Sequence, residues 1–209
     1  MNKSYFKQLI KEEILKVLNE KYYEHLVGDE YGEGGQHQIY DYGKEGDKVI
    51  KFPYGRGKIG YNVKILAKYP EIFPEVFDIG EDHIILEKLN DKKAYNEVWK
   101  IKPYLFANSS EIPPKNPYIA KLAQRSRIKG PNYYDSTLSE LIYNNLDDKE
   151  LKLQLYKELP NDLYNSLIKN WYPLLQKVKN LPWKSQIEKD INDENFGYNS
   201  KGELKMLDI

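Results

Sequence analysis

The dominant hydrophobic pattern of this chain turns from β-type to helical near Asn90, and the change limits what it can fold into. Residues 26 to 52, LVGDEYGEGGQHQIYDYGKEGDKVIKF, carry β-type side chains punctuated by glycine. This predicts a three-strand meander with turns near Gly32 to Gly35 and Gly43 to Gly46. Residues 75 to 89 continue in that character, predicting two strands around Gly80-Glu81-Asp82, the second with the buried-type run Ile84, Ile85, Leu86. Beyond Asn90 the texture is helical. A β-rich first part of about ninety residues followed by a helical second part is an α+β chain, not an alternating α/β one.

Helical spacing predicts elements at 91 to 106, 118 to 127, 136 to 147 and 149 to 158. A longer one from Asp162 to Lys179 has Leu163, Leu167, Ile168, Trp171, Leu174, Leu175 and Val178 on one face. Pro173 lacks a backbone donor and is expected to kink it. Phe6, Leu9, Ile10, Ile14, Val17 and Leu18 predict an amphipathic helix over 4 to 24, and a short helix is expected from Gly60 to Tyr69. NSSEIPPKNP (108 to 117) reads as loop, and YPEIFPEVF (69 to 77) as a connection with Pro-fixed turns. Trp171 and Trp183 are expected in the core. The domain reading is 1 to 89 and 90 to 209.

Composition removes several classes. Lys and Arg number 32 against 32 Asp and Glu, so no global field draws nucleic acid or an anionic membrane. There is no cysteine, which removes disulfides and Cys-based zinc sites, and His25, His37 and His83 lack ligand-like spacing. No segment resembles a signal peptide or a membrane span, so the expected location is cytoplasmic. Abundant Tyr, Lys, Asn and Ile suit an AT-rich genome, such as that of many bacteria and phages.

The chemistry-bearing residues concentrate at the end, in DINDENFGYNSKGELKMLDI. Phosphoryl transfer asks for a base or orienting group at the acceptor, oxygen ligands for Mg²⁺, a cation on the phosphates and a covering loop. Asp190 fits the first role. Asn195 and Asp208, at the two ends of an expected hairpin, fit the second, because a hard cation prefers neutral and anionic oxygens.

These residues resemble the protein-kinase-like superfamily, whose catalytic loop has the form H-R-D-x-x-x-x-N followed by a hairpin and the metal-binding D-F-G. YGEGGQHQIYDYG (31 to 43) resembles the Gly-rich loop, with Gly32, Gly34 and Gly35 admitting phosphates to backbone amides. VIKF (49 to 52) resembles the V-A-I-K strand, which makes Lys51 the phosphate-binding cation. HIILEKLN (83 to 90) resembles the strand entering the hinge, where the backbone from Glu87 to Leu89 would bond an adenine edge. The motifs keep family order from residue 30 to 208. The resemblance implies a two-lobed kinase-like fold, a β-rich N-lobe and a reduced helical C-lobe ending at the DFG-like position, using ATP and Mg²⁺. It also implies a protein or small-molecule phosphoacceptor. The aminoglycoside phosphotransferases share the D-x-x-x-x-N loop, and the compact layout resembles some phage-encoded proteins.

Departures from the pattern sharpen the expectations. Glu188 stands where the family has His, and the helix at 60 to 69 has no glutamate for Lys51, leaving Asn62 or Glu71 as substitutes. The sequence stops one residue after Asp208, before any activation segment. These features frame the alternative of a pseudokinase binding module that engages a host or partner protein. KLAQRSRIKGPNYY (121 to 134), with Lys121, Arg125, Arg127 and Lys129 beside Tyr133 and Tyr134, reads as a solvated or substrate-facing surface. Nucleic-acid binding through it is the third reading.

Overall fold

The computed structural model describes residues 27–33, 37–43, 46–53, 66–106, 116–125, 138–188 and 191–207. The chain divides into two compact units, Met1–Val63 with Glu75–Lys88, and Lys64–Pro74 with Leu89–Ile209. It is a mixed α+β chain, an antiparallel sheet followed by helices. Among the described residues no helix is long and apolar enough to cross a membrane. The helix expected over 4 to 24 and most of that at 60 to 69 lie outside the described residues.

The first unit is a five-stranded antiparallel sheet. Its strands are β1 (Val27–Glu33), β2 (His37–Tyr42), β3 (Lys48–Pro53), β4 (Val76–Ile79) and β5 (Ile84–Glu87), in the order β1-β2-β3-β5-β4. Strands β2 and β3 pair without interruption from His37 opposite Pro53 to Tyr42 opposite Lys48. The turn between them needs the left-handed backbone that glycine adopts most cheaply, with φ of +84° at Gly43 and +63° at Gly46. Alternation then sorts the side chains. Val49, Ile84 and Leu86 are buried on one face, with Ile39, Val76 and Ile79 packed against them. Ile50 and Ile85, on alternate positions, are buried too.

The second unit is helical: α1 (Asp91–Leu105), α2 (Pro117–Arg125), α3 (Leu138–Asn144), α4 (Lys149–Glu158), α5 (Asn161–Ser166), a π turn (Leu167–Trp171), α6 (Tyr172–Lys179) and α7 (Lys184–Ile187). Caps explain where several start. Asn90 accepts from the Lys93 amide at 2.9 Å, and Asp148 from that of Leu151 at 3.0 Å. Pro117 opens α2, where a missing amide costs nothing. The expected disturbance at Pro173 takes the form of the π turn. Tyr172 donates its amide to the Leu167 carbonyl, five residues back, and the helix continues.

The core of this unit runs through Trp171, which is fully buried with its ring 5.0 Å from that of Phe196. Trp183 stacks on Phe73 at 5.9 Å. Residues 66 to 74 therefore belong to the helical core, anchored by Ile72 and Phe73. A terminal hairpin, β6 (Phe196–Tyr198) with β7 (Leu204–Met206), completes the unit. Its Met206 amide donates to the Ile72 carbonyl at 2.8 Å, and Tyr198 exchanges two backbone bonds with Asn90 at 2.7 and 3.1 Å. Gly197 sits so close to the start of α1 that a Cβ there would fall 2.7 Å from the Leu89 Cβ, so only glycine fits without a shift.

Candidate functional site

In the sheet unit, Gly32 and Lys51 fall on one rung: Gly32 lies opposite Ile39, Ile39 opposite Lys51, and Lys51 opposite Ile84. Opposed residues share a face, so the Lys51 stem lies with Ile39 and Ile84 in the apolar row. The residue is only 9% exposed. Gly34 and Gly35, expected in the covering loop, lie outside the described residues. So does Asn62, one expected partner for Lys51; the other, Glu71, is solvent-exposed in the helical unit.

Glu87 ends β5 opposite Lys48. Its amide donates to the Glu75 carbonyl at 2.9 Å, and the Lys88 amide donates to Asp47 at 2.9 Å. Both amides are thus committed within the sheet unit, which narrows the expected adenine contact to carbonyls and to Leu89. Leu89 is buried.

In the helical unit the loop before the hairpin is pinned from inside. Ile191 and Asp193 are each 3% exposed, while Asn192 is half-buried and Glu194 exposed. Asn192 accepts from the Glu194 amide at 2.9 Å, and the Asn195 amide returns to the Asn192 carbonyl at 3.2 Å, closing a turn. The Asn195 carbonyl then accepts from the Leu207 amide at 2.9 Å. Residue 195 and residue 207 are thereby brought together at the open end of the hairpin. Asp190 and Asp208 lie outside the described residues. Among the described ones, no cluster of three acidic or histidine side chains gathers.

The sequence reading passed over Asp193, the most tightly held carboxylate of this loop. It pairs with Lys102 at 3.1 Å, accepts from the amides of Leu138 and Ser139 at 3.1 and 2.9 Å, and accepts from the Ser139 hydroxyl at 2.8 Å. Four donors around one carboxylate offset the cost of taking it out of water. They also tie the loop to α1 and to the first turn of α3. A signal was present: Ala94, Val98, Ile101 and Leu105 form the buried stripe of α1, and Lys102 lies within it. A lysine there needs a carboxylate from elsewhere.

Glu188 accepts from the Tyr143 hydroxyl at 3.2 Å. Burial first, and then the nearby carboxylate, push the Tyr143 phenol up to about 12. Helix α1 and the hairpin are joined by a second polar group: Glu97 receives the Tyr198 hydroxyl at 2.5 Å and the Trp171 indole N–H at 3.3 Å. Burial, then the bond to Glu97, raises the Tyr198 phenol well above its ordinary value, so it remains a neutral donor.

No family model matches this chain, and no curated protein matches it. Among solved structures, one of a streptomycin–ATP–APH(2″)-IIa ternary complex aligns over 94% of this chain and 69% of its own, at 13% identity and a TM-score of 0.30. A likeness at that level does not establish a shared fold.

Proposed function

We propose that the chain is an ATP- and Mg²⁺-dependent phosphotransferase acting on a hydroxyl acceptor. The observation that carries this reading is the backbone bond from Leu207 to Asn195. It closes the hairpin so that Asn195 and the residue bonded to Leu207, Asp208, start from one end of it. An amide oxygen and a carboxylate are a suitable pair of protein ligands for Mg²⁺, which draws its remaining ligands from phosphates and water. Bound there, the ion would neutralise charge on the phosphates of the nucleotide.

The chain's own residues take the other parts. Asp190 accepts or orients the acceptor hydroxyl. Lys51 holds phosphate oxygens as a point charge, and backbone amides of the stretch from Gly32 to Gly35 approach them. The kinase-like order of the motifs supports these assignments. Purified protein incubated with labelled ATP and lysate is expected to transfer label, and Asp190→Ala to abolish transfer. Label transfer that survives Asp190→Ala removes Asp190 from this role.

A second reading, a pseudokinase that engages a partner, is favoured by one observation. Where the resemblance calls for His, Glu188 is present and bonded to the Tyr143 hydroxyl. Calorimetry separates the two: absence of ATP binding at millimolar nucleotide with Mg²⁺ selects the binding module.

A further inference from the structure

A cleft of about 790 Å³ opens on the helical unit between α1 and the run of α5 with the π turn, with the hairpin residues Tyr198 and Gly202 at its margin. Its charge is unlike that of the chain. Lys92, Lys93 and Lys100 line it from α1 and Lys169 from the facing wall, against Glu97 and Asp162. Four cations to two anions is a local excess in a protein whose net charge is zero. The Glu97 carboxylate already receives two donors, from Tyr198 and Trp171. Its charge is therefore the more offset of the two, and the lysines set the field.

We propose that this cleft binds a short acidic peptide segment of a partner protein. The dimensions fit an extended anion: eight residues of helix separate Lys92 from Lys100, about 12 Å along the axis. Acidic side chains on alternate residues of an extended strand recur about every 6.6 Å, so three of them, two repeats end to end, span about that distance. The polar lining selects peptide over a nucleic-acid backbone. Asn96, Ser166 and Asn170 supply groups that match backbone N–H and C=O, which a peptide presents and a phosphodiester backbone does not. The lysines are exposed, so their charge is available to a partner, and the attraction weakens with salt.

The test uses the full chain without ATP or Mg²⁺, so its outcome is separate from that of the phosphotransferase reading. A blocked Glu-Ala repeat peptide of about ten residues is titrated at low and high salt, with the matching Gln-Ala peptide and an oligothymidylate as comparisons. Binding of the Glu-Ala peptide alone is expected, weaker at high salt. The triple variant Lys92→Gln, Lys100→Gln, Lys169→Gln is expected to weaken it about tenfold. A control pair on α4, Lys149→Gln with Lys157→Gln, is expected to leave it unchanged. Circular dichroism of both variants should match the parent, because all five lysines are exposed. The proposal is overturned by absence of binding at low salt, by equal binding of the Gln-Ala peptide or oligothymidylate, or by a triple variant that binds as the parent does.

Discussion

Two lysines, one in each unit, are buried by different means, and the contrast separates the two halves of the molecule. Lys51 is on a strand, its stem laid along a thin apolar row formed by Ile39, Val49 and Ile84. Lys102 is on a helix, within a stripe that faces a deep core, and its ammonium is paired with the enclosed carboxylate of Asp193. A sheet with a thin apolar face is specified chiefly by backbone pairing and alternation. A helical unit built around Trp171, Phe196 and Trp183 is specified by side-chain packing and by the polar groups enclosed with it. The local stability of the molecule is therefore expected to reside in the helical unit.

The largest effect is expected at Asp193. Asp193→Ala leaves the Lys102 ammonium buried without its partner and removes an acceptor from three α3 donors, which costs about 3–5 kcal/mol in urea unfolding. Neutralising both ends, with Asp193→Asn and Lys102→Met together, is expected to recover most of that loss, since no unpaired charge remains. A double variant as unstable as the single one would show that packing, not charge pairing, dominates there.

Next in size is a pair of leucine truncations that compares the units directly. Leu175 is fully enclosed in the helical core, and Leu86 lies in the thin row of the sheet. Leu175→Ala is expected to cost about 4 kcal/mol and Leu86→Ala about 2, because a thin layer can collapse onto the gap more completely. Equal costs in unfolding experiments would erase the distinction drawn between the two halves.

A smaller effect is expected with alkali, and it belongs to the helical unit. Tyr143, Tyr172 and Tyr198 all have phenols raised above their ordinary value, chiefly by burial. A raised phenol favours the protonated form in the folded state, so its contribution is fully present below about pH 10 and is lost as pH rises. For Tyr143 the loss is expected between about pH 10 and the folded value of about 12. Tyr198→Phe removes one such group, and is expected to flatten the fall in unfolding midpoint with pH. A midpoint constant from neutral pH to beyond that window would contradict the assignment.

Much of this architecture was legible in the sequence, and the exceptions share a cause. The five strands followed from β-type side chains punctuated by glycine, the terminal hairpin was expected between Asn195 and Asp208, and most helices followed from helical spacing of apolar residues. The short helix Lys184–Ile187 was not anticipated, since it extends no periodic stripe. Residues 69 to 77 read as a connection, yet Ile72 and Phe73 within them are part of the helical core. In the site region, the partners of Asp193 were not legible. Lys102, Leu138 and Ser139 are distant in sequence, and no local pattern pairs a helix lysine with a loop carboxylate. The committed amides of Glu87 and Lys88 are likewise tertiary facts, invisible in HIILEKLN.

The smallest expected change concerns Asp208, and it bears on function more than on stability. Asp208 is joined to Leu207, whose amide is fixed to Asn195, so its backbone attachment does not depend on its own side chain. Asp208→Asn keeps the size of that side chain and removes its charge. Unfolding is expected to shift by no more than about 0.5 kcal/mol. If Asp208 is a Mg²⁺ ligand, the same change weakens ATP binding about tenfold with Mg²⁺ present and leaves it unaltered when the metal is chelated, because only the metal-bound form uses the carboxylate. Asn195→Ala is expected to show the same metal-dependent loss, since the two side chains share one ion. Parent affinity for ATP that does not respond to Mg²⁺ would remove the metal from both residues at once, and with it the observation on which the phosphotransferase reading rests.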